Sequence, residues 1–339
     1  MTTLATFVQI SDLHIGQLDP SNGDAVTNNA VARLAASYPL LDGFVGHHAR
    51  GMQDLEAFCK GLAASGEPFE IIVTGDYTRC GDSNELKIVQ DFLARKVDLQ
   101  PPYQIMAGLS LGGVPLGVPG NHDHWGGLNG SYSSNPSTFY SSKTCLKPPY
   151  VVSGPQIGNR QLTFIGIDTD ADVYPNSANR LFAFGHCPSQ FTDPKLAGLP
   201  PNQGNELRVL VLHHAWHHRG ATLQLTRPSR QALEQFCYNK KVQVVLAGHT
   251  HSVKFAQLPT QTVCMELCSG STTQFDYPPP SWRAYKLLPQ SRAYVRNSLL
   301  LHRIIELNSG GALWTTVVYR RDAARGFVQL PNVTCSFGV

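Results

Sequence analysis

The sequence predicts an α/β protein, on three observations. Five short apolar runs, rich in Val, Ile and Leu, each end abruptly in a polar cluster. Stretches with apolar residues at helical spacing lie between several of them. Near the C-terminus two more apolar runs are joined by Asn308-Ser309-Gly310-Gly311, a hairpin signal. Strands alternating with helices imply a buried, largely parallel sheet.

The first run, Phe7-Val8-Gln9-Ile10, leads into Ser11-Asp12-Leu13-His14. Apolar spacing over 54–64 predicts a helix. A second run, Phe69-Glu70-Ile71-Ile72-Val73, leads into Thr74-Gly75-Asp76. Asp82 begins another helix, with Glu85 placed as a capping-box partner. The third run, Val114-Pro115-Leu116-Gly117-Val118, leads into Pro119-Gly120-Asn121-His122-Asp123. Residues 126–142 are rich in Gly, Ser, Asn and Tyr and read as a long loop, part of an insertion near 126–160. A fourth run, 208–212, ends in His213-His214. Residues 230–238 read as a helix. The fifth run, 242–246, ends in Ala247-Gly248-His249-Thr250-His251. Short β-branched runs bounded by Gly or Pro read as buried strands.

Composition narrows the function classes. The chain has 339 residues, enough for a large core, and is 42% hydrophobic but only 15% charged. A net charge of +3, without a block of like charges, gives no clear nucleic-acid signal. No apolar run reaches the roughly 18 residues of a membrane span. Residues 1–10 lack the basic and apolar segments of a signal peptide. The expectation is a soluble, cytoplasmic protein. Eight scattered cysteines without a C-x-x-C pair read as buried thiols. Nothing here assigns an oligomeric state.

The polar clusters carry the chemistry. In open α/β sheets, ligands bind at the carboxyl ends of strands. That rule gathers Asp12, His14, Asp76, Asn121, His213, His249 and His251 along one edge. Oxygen and imidazole donors without thiolate suit Mn, Fe, Zn, Ni or Co. Seven donors exceed the three protein ligands of one catalytic metal and suit two metals around a shared carboxylate. Asp76, alone at its strand end, is the natural bridge. Asp12-x-His14 and His249-x-His251 place paired donors two residues apart, which on extended backbone face one way. Gly75, Gly120 and Gly248 precede three of the clusters, where close approach is needed. Asp12 as a helix cap and Asn121 as a turn residue are the plain alternatives for single motifs. His214 and His217 extend the fourth cluster and are candidate substrate contacts. His47, His48, His186 and His302 lie outside every cluster and read as structural.

D-x-H, G-D, G-N-H-D, a strand-terminal His and G-H-x-H, in this order from Asp12 to His251, resemble the calcineurin-like metallophosphoesterases. The G-N-H-D form resembles their cyclic-nucleotide and glycerophosphodiester phosphodiesterase-like branch. The resemblance implies a four-layer α/β/β/α sandwich of two mixed sheets. It also implies one domain over 1–339, with strands in 299–320 completing the second sheet. One metal would be held by Asp12, His14 and His251, and the other by Asn121, His213 and His249, with Asp76 shared. The implied reaction is hydrolysis of a small phosphoester, a diester more readily than a monoester. A hydroxide bridging the two metals would attack in line. His122 would protonate the leaving oxygen, a task that suits a group titrating near neutrality. Many relatives carry an acidic residue three positions after the bridging aspartate, able to orient that histidine. Here the position is Arg79, which could instead contact a phosphate oxygen. A non-catalytic metal-binding interaction module of the same fold is the alternative.

Overall fold

Phe7 and its neighbours Val8 and Ile10 point to opposite sides of the first strand, and both sides are buried. That pattern recurs through the computed structural model. The model describes residues 2–19, 23–26, 46–94, 108–109, 115–124, 140, 144–172, 183–220, 223–259, 263–274, 297–308 and 311–339. The first half of the chain contributes β1 (Thr3–Ile10), α1 (Ala49–Ala64), β2 (Glu70–Thr74), α2 (Ser83–Ala94) and β3 (Leu116–Val118). Then come β4 (Tyr150–Ile157), β5 (Arg160–Gly166), β6 (Glu206–His214), α3 (Arg227–Lys240), β7 (Val244–Gly248), β8 (Lys254–Gln257) and β9 (Met265–Cys268). The chain closes with β10 (Ser298–Glu306), β11 (Ala312–Asp322) and β12 (Gly326–Gly338).

The strands form two six-stranded mixed sheets, ordered β12-β11-β10-β1-β2-β3 and β4-β5-β6-β7-β9-β8. β1, β2 and β3 pair in parallel, as do β5, β6, β7 and β9. The outer pairings are antiparallel.

Three apolar layers hold this together. Phe7, Ile72 and Leu300 from the first sheet meet Leu207, Val209, Val211, Val244 and Leu246 from the second, with Trp314 filling the gap. On the far side of the first sheet, Val8, Ile10, Ile71, Val73, Leu299 and Leu301 take up Met52 and Leu55 of α1 and Leu86, Val89 and Phe92 of α2. On the far side of the second, Leu210, Leu212, Val245 and Ala247 take up Leu233, Phe236 and Cys237 of α3. Alternate residues of one strand thus serve two cores, which makes the runs continuously apolar. The result is the expected four-layer sandwich.

Local expectations shift in four places. The first helix begins at Ala49, five residues before 54. Residues 150–166 overlap the end of the loop insertion expected near 126–160. They form a hairpin closed at Gly158-Asn159, and Tyr150 and Ile157 enter the intersheet core. The strands expected over 299–320 to complete the second sheet join the sheet of β1, because β10 pairs antiparallel along β1. Glu85 does not close a capping box. Asp82 caps Asn84, while Glu85 turns back to the Cys80 amide. Residues 126–139, Trp125 and the turn residues Ser309 and Gly310 lie outside the described residues.

Candidate metal centre

Parallel pairing sets the carboxyl ends of β1, β2 and β3 side by side, with β6 and β7 facing them across the intersheet layer. Past those ends, residues 12–15 and 75–79 run together. The Asp12 amide donates to Gly75 O at 3.0 Å, His14 to Asp76 O at 3.0 Å and Arg79 to Ile15 O at 3.1 Å. The clusters converge, but not by strand alternation. Asp12, His14, Asp76, His249 and His251 all have positive φ, between 47° and 69°. The paired donors are therefore not on extended backbone. Left-handed turns just beyond the strands aim both members of each pair inward. Non-glycine residues in that region cost free energy, and such strain concentrates at functional sites.

Glycine makes the close approach possible. A Cβ on Gly120 would lie 2.2 Å from Asp76 Oδ1, and one on Gly75, at φ +96°, would lie 2.3 Å from His213 Nδ1.

The donors meet at short range. Ligand atoms of Asp12, Asp76, His213 and His249 all fall within 4.8 Å of one another, as do those of Asp12, His14 and His251, and those of His14, Asp76 and His122. Asn121 Oδ1 sits 3.2 Å from His213 Nε2. His213 Nε2 is 3.2 Å from Asp76 Oδ2 and 3.0 Å from His249 Nδ1. His251 Nε2 is 3.2 Å from Asp12 Oδ1 and 3.3 Å from His14 Nε2. Every one of these residues is buried except His251, whose side chain is 26% exposed and marks the solvent side.

The group fits cations. Asp12 Oδ1 is fully buried with no hydrogen-bond partner among the described residues, and His14 Nδ1 is in the same position. Imidazole nitrogens face each other across the site. Burial opposes ionisation of Asp76, but the imidazoles of His213, His122 and His14 outweigh it and hold its carboxyl well below the usual range. Burial likewise opposes protonation of His213. Asp76 and Asp12, with the Thr74 carbonyl, overcome it and lift the imidazole to about 10. His14 goes the other way, to about 3, through burial and the neighbouring His122. The carboxylates thus concentrate negative charge among the imidazoles, a field that suits bound cations.

The remaining predicted residues lie differently. His122 Nδ1 donates to Arg79 O at 2.6 Å, and its backbone N–H donates to Asp76 Oδ1 at 2.9 Å. The Arg79 guanidinium is not placed for a phosphate oxygen. Nε and Nη2 bind Glu85 Oε1 at 3.1 and 3.0 Å, and Nη1 donates to Val26 O at 2.6 Å. His214 is held in the core by Thr169 Oγ1 at 2.8 Å and Ala183 O at 3.1 Å, stacked on His249, so its ring has no edge left for substrate. His217 is pinned to the buried carboxylate of Glu266, 2.6 Å from Nδ1. His47, His186 and His302 each bind protein groups away from the cluster.

Sequence reading missed a neighbouring cluster. His124, Asp168 and Asp170 place their donors within 4.8 Å of one another, with His124 Nε2 3.0 Å from Asp168 Oδ1. Asp170 Oδ2 lies 3.4 Å from His214 Nδ1. The signal was present. β5 also ends in a polar cluster, Asp168-Thr169-Asp170, just past the loop expected near 126–160.

A four-layer sandwich with carboxylates and imidazoles gathered at its strand ends defines a metal-dependent phosphoesterase fold. The family model for calcineurin-like phosphoesterases matches residues 5–253, and the chain belongs to that family. A comparison with curated proteins finds no match. Among solved structures it is similar to GAP50, the anchor in the inner membrane complex of Plasmodium, at 10% identity and a TM-score of 0.52, over 100% of this chain and 90% of that one. It is also similar to a dimetal phosphatase from Danio rerio, at 11% identity and a TM-score of 0.47, over 99% of both chains. A 5′-nucleotidase from Candida albicans matches at 13% identity and a TM-score of 0.39, over 100% of this chain and 51% of that one.

Proposed function

We propose that this chain is a binuclear metal-dependent phosphoesterase. The observation that carries the reading is one oxygen atom. Asp76 Oδ2 lies 3.9 Å from His14 Nε2 and 3.2 Å from His213 Nε2, between the two sets of donors. Asp12 also touches both sets, but its Oδ2 accepts the His249 amide at 3.0 Å, leaving Oδ1 for the His14–His251 side. Asp12, His14 and His251 would hold one ion, and Asn121, His213 and His249 the other, with Asp76 shared. Mn, Fe, Zn, Ni or Co would suit these donors. Bound there, two ions would supply positive charge for the phosphate oxygens and acidify a water.

The chain's own residues do the rest. Asp76 and Asp12 hold the imidazoles in register. Arg79 O accepts the His122 Nδ1 proton, so Nε2 is the nitrogen left for the leaving oxygen. As water oxygen bonds to phosphorus, the bond to the leaving oxygen breaks. His122 gives that oxygen its proton and the water's proton passes to solvent. We place the substrate among small phosphodiesters ahead of monoesters, on the G-N-H-D form of the third motif. A cytoplasmic location suits eight free cysteines. Among the described residues, no helix is long and apolar enough to cross a membrane. The whole chain would act as one catalytic domain.

The test is hydrolysis of bis(p-nitrophenyl) phosphate and p-nitrophenyl phosphate by chelator-treated protein, before and after adding Mn²⁺. Metal-dependent turnover supports the reading. Turnover in both states rejects the metal requirement, and turnover in neither favours a non-catalytic interaction module.

A further inference from the structure

The peptide between Arg79 and Cys80 is a planar trans unit, with its C=O and N–H pointing opposite ways. Both ends are engaged. The carbonyl accepts from His122 Nδ1 at 2.6 Å, while the N–H donates to Glu85 Oε2 at 2.9 Å. Glu85 is fully buried in the first turn of α2, and its other oxygen holds the Arg79 side chain. A carboxylate that accepts from one end of a peptide polarises the carbonyl at the other end. We infer that Glu85, acting through the Arg79–Cys80 peptide, is the positioning residue for His122.

This rests on the proposed role of His122 as proton donor, and it deepens that role. A carbonyl oxygen only accepts hydrogen bonds. It therefore fixes the imidazole with hydrogen on Nδ1 and turns Nε2 toward the site. Arg79 contributes from both ends. Its guanidinium neutralises the Glu85 charge and ties it to Val26 O, and its backbone N–H is anchored on Ile15 O at 3.1 Å. The carboxylate acts at one remove, through the chain rather than on the ring.

The experiment compares Glu85→Gln and His122→Ala on two diesters. Bis(p-nitrophenyl) phosphate releases a phenolate that needs no proton, whereas diphenyl phosphate releases one that does. In Glu85→Gln, kcat on diphenyl phosphate should fall by about 10- to 100-fold at unchanged KM, with bis(p-nitrophenyl) phosphate within about threefold of wild type. In a His122→Ala background the same change should cost nothing further, because no proton donor remains to be positioned. Equal losses on both substrates, a further loss in the double variant, or wild-type behaviour of Glu85→Gln would each overturn the inference. If His122→Ala itself showed no dependence on the leaving group, the proton-donor reading would fail and this one with it. Should Glu85→Gln not fold, ¹⁵N-histidine spectra of the unaltered Zn²⁺-loaded chain decide instead. Hydrogen on Nδ1 of His122 is expected, and hydrogen on Nε2 alone overturns the inference.

Discussion

Asp123 Oδ1 accepts both the backbone N–H and the hydroxyl of Thr78, each at 2.8 Å. Its second oxygen accepts Tyr77 N at 3.1 Å and Gly120 N at 2.9 Å. One buried carboxylate thus clasps the turn carrying Asp76 to the turn carrying Asn121 and His122. Asp123→Asn replaces one acceptor oxygen with an amide nitrogen, which confronts two of these donors with a third. Each orphaned buried group costs about 1–3 kcal/mol. The variant should melt several degrees lower and purify with less metal, as thermal unfolding and metal analysis would report. An unchanged midpoint with full metal content would rule out the clasp.

Asp76→Asn keeps size and one oxygen but removes the negative charge 3.2 Å from His213 Nε2. A shared ligand should affect both ions. Metal content should fall below that of His249→Ala, which removes a ligand from one side only. Elemental analysis of both purified variants checks this. Equal content in the two would argue against Asp76 as the bridge.

Gly120→Ala and Gly61→Ala should behave oppositely. The first puts a methyl group 2.2 Å from Asp76 Oδ1 and 2.5 Å from its backbone nitrogen, so the turn must open and activity should be lost. The second lies in α1, with nothing among the described residues within 4 Å of the added carbon. There alanine should stabilise by about 0.5–1 kcal/mol. Parallel melts and activity assays distinguish them, and an active Gly120→Ala enzyme would contradict the packing argument.

Strand ends were readable because β1, β2, β6 and β7 are buried on both faces. Their apolar runs stop only where the chain leaves the sheet, and that is where the donors begin. The order Asp12, Asp76, Asn121, His213, His249 followed from this punctuation. What did not follow was anything set by long-range partners. No local pattern shows that Glu85 faces Cys80 and Arg79 rather than its own helix end. Nor does one show that His214 turns to Thr169, 45 residues away. Asp12, His14, His249 and His251 converge through positive φ rather than i, i+2 alternation, and positive φ at these residues has no single-sequence signature. β5 was passed over because Gly154, Pro155 and Gly158 punctuate its hairpin like a loop.

His302 bridges the two sheets' shared core. Its Nε2 donates to Gln9 Oε1 at 3.0 Å, Gln9 Nε2 donates to Ala247 O at 2.8 Å, and Thr316 Oγ1 lies 2.9 Å from Nδ1. Burial pushes this imidazole down to about 3, so it is neutral in the fold. The unfolded chain, with an ordinary histidine near 6.5, binds a proton that the folded chain refuses. Its contribution to stability is therefore complete above about pH 6.5 and declines as pH falls toward 3. Because 3 lies well below the working range, the loss between pH 7 and pH 5 depends mainly on the unfolded value. It should amount to about 2 kcal/mol. Urea unfolding of wild type and His302→Gln at pH 7 and pH 5 isolates this histidine from the others, which both proteins share. Wild type should lose more stability than the variant over that interval by about 2 kcal/mol. Parallel losses in the two proteins would mean that His302 takes up its proton without unfolding the core.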